Sequence, residues 1–364
     1  MAGLSPKPPR PTRVLLVANF DRRRHQATFY NVDNLLHSGL LRAGHHVIPF
    51  SDRDTALENS PLRLSSRFGG LGAMQRRLLR TAEHYSPDLV LFGHADLVDE
   101  ATIRNLRRSI PGARLAQFNV DAVFNSRSMS AFCDRARLVD ISFITTGNLD
   151  SLALLSPGCG PVHYFPNPVD ASVETARTFE KRREELAFDG QFLGGRLQSR
   201  DELIDRLAAG LPAGYRFRSS ARDLGGRRLR SLEFLAALAE AGCMPNLPHD
   251  DKIPVPYLYS SDRIAQCLGQ GVAVLAPGEA GLREIYDEGI LEFRSFDHLI
   301  DSMAFLQRND DARRRQARMG WRIAHERTAG HRVAKYMVET ALDMPLSEEY
   351  GWPAAPVAGG LPQC

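Results

Sequence analysis

Six residues near the start, Arg13-Val-Leu-Leu-Val-Ala18, are apolar at every position after the first. A short continuous apolar run of this kind marks a strand buried on both faces. Such a strand needs helices above and below it, and the following residues supply them. A polar loop (19–26) leads to a segment with Leu35, Leu36, Leu40 and Leu41 at helical spacing. Gly44 follows, where a helix C-terminal cap favours glycine. Residues 47–50 form the next apolar run. This is a βαβ opening, and it predicts a doubly wound parallel sheet.

The alternation continues. Strands are predicted at 88–92, 113–118, 141–144 and 162–165, with helices at 70–85, 99–109 and 126–137. The segment Pro166-Asn-Pro168 then stops regular structure. Beyond it the plan repeats, with strands at 188–193, 215–218, 271–276 and 290–293. Helices are expected at 199–209, 228–241, 261–268, through 296–327, and at 331–342. Two α/β units follow: Rossmann-like domains over 13–168 and 169–330, facing each other across a cleft. Residues 331–344 should return to the first domain, with flexible tails at 1–12 and, because of its Pro/Gly content, 345–364. A chain of 364 residues is also beyond the size at which one core suffices.

Charge and cysteines narrow the function classes. The net charge of +3 is too small to argue for nucleic acid. Residues 1–168 carry 20 basic against 14 acidic side chains. That mild excess suits an anionic acceptor or a peripheral membrane contact, and equally the solvated surface of an arginine-rich protein. The five cysteines are scattered without a C-x-x-C pair, so neither a zinc site nor a disulfide framework is signalled, and a cytoplasmic location fits. No apolar run approaches the roughly 20 residues of a membrane span.

Particular segments carry a family likeness. Phe165-Pro-Asn-Pro-Val-Asp170 resembles the interdomain linker of GT-B glycosyltransferases, and Phe192-Leu-Gly-Gly-Arg196 resembles the glycine-rich turn that opens their second domain. Tyr259-Ser-Ser-Asp-Arg263, Gln266-Cys-Leu-Gly-Gln-Gly271 and Gly281-Leu-Arg-Glu284 resemble the donor half-site of the spore-maturation (CgeB-like) glycosyltransferases. Phe296-Asp-His-Leu-Ile300 and Gly320-x-x-x-Ala-His-Glu326 are similar to that family's C-terminal helices. The likeness implies a transferase that moves a sugar from a nucleotide-sugar donor to a glycan, lipid-linked or protein acceptor, with no cofactor. The chain departs from the pattern at Gln266, where the family usually has Glu. Leu258 stands where an E-x7-E pair would begin.

The donor's diphosphate calls for backbone N–H groups and fixed positive charge. Gly194 and Gly195, flanked by Arg196 and Arg200, would let a backbone approach closely; a tight turn with surface arginines fits the same residues. The likeness places Arg263 at a helix N-terminus aimed at the phosphates. Ser260 and Ser261 are capping residues able to donate hydrogen bonds, and Asp262 orients Arg263 or caps the helix. Gln266, Glu279, Gly281 and Glu284 complete the implied donor site, with Glu284 on the ribose hydroxyls.

For the base, the likeness points to a loop of the first domain. His25 and Asp21 flank three arginines in the loop after the first strand, with His25 the better matched by its ordinary pKa. His94 and Asp121 end two further strands on the same sheet edge. No metal cluster is readable, so positive side chains are expected to serve the departing diphosphate. Two other readings remain: a nucleotide-sugar epimerase of the same design, and a non-catalytic module that binds a nucleotide or sugar.

Overall fold

The computed structural model describes residues 11–61, 69–147, 159–194, 198–220, 222–225, 227–248 and 255–358. Strand β1 (Arg13–Ala18) sends Leu15 and Val17 into one apolar layer and Val14, Leu16 and Ala18 into the opposite one. All five side chains are fully buried. Both faces are therefore covered, as the continuous apolar run requires.

In chain order there follow α1 (Val32–Arg42), β2 (His46–Ser51), α2 (Asp52–Glu58), α3 (Leu71–Tyr85), β3 (Leu89–Phe92), α4 (Glu100–Ser109), β4 (Arg114–Asn119), α5 (Ser126–Ala136), β5 (Ile141–Ile144) and β6 (Val162–Tyr164). Gly44 takes a φ of +87° just beyond α1, the conformation its cap role needs. The strands pair in parallel in the order β6-β5-β4-β3-β1-β2. Their order reverses between β1 and β3, so a crevice opens at the C-terminal ends of those two strands.

The second unit holds β7 (Phe188–Phe192), α6 (Gln198–Gly210), β8 (Phe217–Ser219), α7 (Ser231–Leu238), β9 (Ala241–Pro245), α8 (Asp262–Gly269), β10 (Ala273–Pro277), α9 (Arg283–Tyr286), β11 (Ile290–Phe293), α10 (Phe296–Arg308) and α11 (Asp310–Arg327). Its parallel sheet runs β11-β10-β9-β7-β8, with the reversal at β7. Two differences from the sequence reading stand out. Residues 241–245 form the central strand β9, where a helix was expected to continue to 241. The helical stretch 296–327 is two helices, broken at Asn309.

The chain crosses between the units twice, and the crossings lie side by side. Val169 N–H donates to Thr328 C=O (2.9 Å), and Gly330 N–H donates to Val169 C=O (2.8 Å). Helix α12 (Gly330–Ala341) then packs on α1 of the first unit. Contact there is so close that a Cβ on Gly39 would lie 2.2 Å from the Gly330 carbonyl oxygen.

The segment after α12 is not loose over its described length. Tyr350 and Trp352 are buried against Tyr336, with ring centroids 5.0 and 5.5 Å from it. Strand β12 (Pro356–Ala358) then pairs antiparallel with β6. Two aromatic side chains outweigh a Pro/Gly-rich composition, because each buries a large apolar area. Residues 1–10 and 359–364, both expected to be loose, lie outside the described residues. Among the described residues no helix is long and apolar enough to cross a membrane.

Candidate functional site

The crevice of the first unit is built around Asp33, in the first turn of α1. Its carboxylate is fully buried and accepts hydrogen bonds from Asn19 N–H (3.2 Å) and His94 Nδ1 (3.0 Å). Gly93 makes that approach feasible. A Cβ there would sit 2.3 Å from Phe118 Cζ and 2.6 Å from Asp33 Oδ1. The Asp33 carboxylate holds the His94 imidazole well above its ordinary range, at about 9, with Asp121 and Asp262 adding to the effect. His94 is thus an imidazolium at neutral pH. Asp121 follows the end of β4, in a turn braced by Asn119, whose Oδ1 accepts from Asp121 N–H (2.9 Å) and Ser128 Oγ (3.3 Å). The Asp121 carboxylate itself accepts no hydrogen bond among the described residues.

The opposite wall belongs to the second unit. Ser261 precedes α8 in extended conformation, and its buried hydroxyl has no hydrogen-bond partner. Arg263, one residue into the helix, stacks on Phe192 with its guanidinium carbon 4.2 Å from the ring centroid. Among the described residues that guanidinium has neither a hydrogen-bond acceptor nor a paired carboxylate. Burial, helped by neighbouring Arg200, lowers its pKa to about 10, so it keeps its charge at neutral pH. Arg200 stacks on the same ring at 5.2 Å. The turn after β7 is latched by Ser220. Gly194 N–H donates to Ser220 Oγ (3.0 Å), and the Ser220 hydroxyl donates to Gly194 C=O (2.7 Å).

These groups line one cavity of about 670 Å³, which includes His94, Asp121, Gly194, Ser261, Asp262, Arg263 and Gln266. Tyr30 of the first unit stacks on Phe234 of the second (4.8 Å, 27°) and closes one side. A second cavity of about 770 Å³ lies within the first unit and shares His94 and Asp121 with it. The two spaces therefore meet at those two side chains.

Other sequence candidates have different roles. Ser260 is fully buried beneath the cavity. Its Oγ accepts from Asn167 N–H (3.2 Å), and the Asn167 amide donates to Ser260 C=O, so the Pro-Asn-Pro linker is tied to the start of α8. Gly281, at a φ of +64°, lies under the Tyr257 ring, and Glu284 accepts from the Tyr257 hydroxyl. Neither they nor exposed Glu279 line the cavity. His25 is exposed, at a φ of +54°, and borders neither cavity; Asp21 is buried and accepts from Thr28 Oγ1 (3.3 Å). Their loop is set by Asp54 of α2, whose carboxylate accepts from Arg22 N–H (2.9 Å) and Arg23 N–H (3.3 Å). Gly195 and Arg196 lie outside the described residues. Sequence reasoning missed Asp33, Phe192 and Ser220. Phe192 stood in the glycine-rich segment without a role, and Asp33 was visible as a carboxylate in the first turn of the helix after the first strand.

Comparison with known proteins bears on the fold and on the second unit. Residues 198–338 match the model of a family described as glycosyl transferase-like. The whole chain resembles sucrose-phosphate synthase from Thermosynechococcus elongatus (12% identity, 90% of this chain and 98% of that one, TM-score 0.61). It also resembles HepE of Anabaena in complex with UDP and glucose (14%, 92% and 100%, 0.56). A third likeness is to AviGT4, a glycosyltransferase involved in avilamycin A biosynthesis (17%, 91% and 97%, 0.54). No curated protein sequence matches the chain. The fold is that of the GT-B glycosyltransferases.

Proposed function

We propose that this chain, with its GT-B fold and glycosyl transferase-like second unit, moves a sugar from a nucleotide-sugar donor to an acceptor hydroxyl without a divalent metal. The observation that carries the reading is Arg263, a stacked guanidinium at the start of α8 with no carboxylate partner among the described residues, facing the latched Gly194 turn. An unpaired charge in a cleft is costly unless a ligand of opposite charge completes it. A diphosphate is that ligand. The α8 N-terminus and the free Ser261 hydroxyl add donors on the same side.

In this reading the donor's diphosphate rests on Arg263, Ser261 and the Gly194 turn. The likeness to the spore-maturation glycosyltransferases implied a ribose contact at Glu284, but Glu284 lies outside the cavity and accepts from Tyr257, so Gln266, which lines the cavity, takes the ribose in its place. The bond between the anomeric carbon and the phosphate oxygen breaks, and the electron pair leaves with the nucleoside diphosphate. Arg263 and the helix dipole stabilise that developing charge. The acceptor oxygen bonds to the anomeric carbon while its proton passes to Asp121, whose carboxylate accepts no hydrogen bond among the described residues. His94, held as an imidazolium by Asp33, donates a hydrogen bond to a sugar or leaving-group oxygen instead of removing a proton.

The test begins with nucleotide binding. HepE has been solved with UDP-glucose, so uridine nucleotides come first. A nucleotide present at 100 times its dissociation constant should add about 2.7 kcal/mol of stability. Release of nucleoside diphosphate should then depend on acceptor and persist after exhaustive chelation. Isomerisation of donor alone would favour the epimerase, and binding without turnover for any acceptor the non-catalytic module. Loss of activity on chelation, restored by magnesium or manganese, would overturn metal independence.

A further inference from the structure

The second cavity, inside the first unit, carries a charge pattern that the donor does not use. Its acidic side chains are largely neutralised from within. Asp96 pairs with Arg53, Glu100 with Arg104, and Asp134 with Arg137 at 3.2 Å. Asp121, at the junction with the donor cleft, is left as the open carboxylate. On the basic side the guanidinium groups of Arg23 and Arg127 have no carboxylate partner among the described residues. Among the described residues Arg135 donates only to backbone, to Ala95 C=O (2.9 Å) and Gly93 C=O (3.5 Å), while lying over Phe92. It thereby grips the loop on both sides of His94.

Arg127 and Arg135 lie two turns apart on the face of α5 that borders the cavity. At 1.5 Å per residue they are spaced about 12 Å along the helix. Arg135 sits at the end of α5 next to His94, and Arg127 at the other end adjoins Ser128, whose hydroxyl shares the Asn119 oxygen with Asp121 N–H. Arg23 borders the same cavity from the loop after β1. The cavity therefore offers a carboxylate and an imidazolium where it meets the donor cleft, and on its walls the guanidinium groups of Arg23 and Arg127 without a carboxylate partner among the described residues. Its volume of about 770 Å³ accommodates a disaccharide-sized group.

We propose that this cavity receives an acceptor with an anionic oxygen group, carboxylate or phosphate, held by Arg23 and Arg127 while its reacting hydroxyl lies between His94 and Asp121. The inference rests on the transferase reading for the occupant's role, and its test is arranged to separate the two. Guanidinium groups recognise both anions through paired N–H donors. A uronic acid and a phosphorylated or lipid-phosphate-linked sugar are the two sources of that chemistry.

The experiment is calorimetric titration of the full chain, with and without saturating UDP, using three probes: a glucuronate-terminated disaccharide, its glucose-terminated counterpart, and glucose 1-phosphate. Binding of one anionic probe at least about tenfold tighter than the neutral one is expected, the value of one charge-assisted contact. The anion preferred tells carboxylate from phosphate. Arg127→Ala and Arg23→Ala should each remove most of the preference, and added salt should weaken it, while UDP affinity stays within about twofold. Equal binding of all three probes, or a preference that survives both substitutions, overturns the proposal. UDP binding without anion preference sinks this inference alone. Anion preference with no binding of UDP or any other nucleotide diphosphate keeps the site and sinks the transferase reading.

Discussion

Replacing Asp33 by Asn removes the charge that holds His94 protonated and leaves an amide of the same shape. The contact is a 3.0 Å hydrogen bond to a carboxylate with no exposure, beside an imidazole with 34% of its side-chain surface open. The His94 pKa stands at about 9 against an ordinary 6.5. A tenfold change in proton affinity corresponds to roughly 1.4 kcal/mol. The open third of the ring lets solvent screen part of that, so about 1–3 kcal/mol is a fair range for the loss. The sign follows from the raised pKa. The stabilisation is complete below pH 6.5, declines as pH rises through 9, and is absent above it. Asp33→Asn should therefore cost stability at pH 6 and little at pH 10. Imidazole NMR titration should show the His94 pKa returning towards 6.5, and urea denaturation at the two pH values should show the cost. An unchanged pKa, or an equal loss at both pH values, would refute the reasoning.

Arg263→Ala should weaken binding of the best nucleotide by about ten- to a hundred-fold, the worth of a charge-assisted contact, with an unchanged circular dichroism spectrum; an unaltered dissociation constant rejects the phosphate assignment. Asp121→Asn should lower turnover by about 10²–10⁴ with donor affinity retained, whereas His25→Ala should cost less than about tenfold. The reverse order would return the base to the loop after β1. Gly39→Ala places a methyl against the Gly330 carbonyl at 2.2 Å and should cost about 1–3 kcal/mol in denaturant melts; wild-type stability would show that α1 and α12 separate freely.

Much of the fold was legible because both sheets depend on short apolar runs, and such runs are hard to disguise. Strand β9 was not. Ala241-Gly-Cys-Met-Pro245 has no β-branched residue and follows an alanine-rich helix without a stop signal, yet it is fully buried at the centre of its sheet. Its small residues are needed there: a Cβ on Gly242 would meet Arg313 Cδ at 2.7 Å. Helix α2 was hidden because its first turn is Asp52-Arg-Asp54, which reads as a polar loop. Those carboxylates face inward instead. Asp52 accepts from Leu97 N–H (2.9 Å) with its pKa pushed up to about 6 by burial, and Asp54 binds the loop after β1.

One wall of the cavity was legible for a related reason. Ser261, Asp262, Arg263 and Gln266 are neighbours in sequence, so one helix start brings them together. The position of His25 outside both cavities was not, because the aim of its loop depends on Asp54, 31 and 32 positions away from the backbone groups it binds. No local pattern encodes such a bond.

The paired crossings at Val169 and Gly330 also set an order of events during synthesis. The first unit is not one continuous stretch, because α12 and β12 return to it after the whole second unit has been made. The second sheet and its helices leave the ribosome complete while α1 still lacks the partner that Gly39 fits so closely, and β6 still presents an open edge. An open edge is a template for pairing with other chains, and incompletely covered domains are the species that aggregate. The unit that is translated first is thus finished last, because α1 and β6 wait for Gly330–Ala341 and Pro356–Ala358 to cover them.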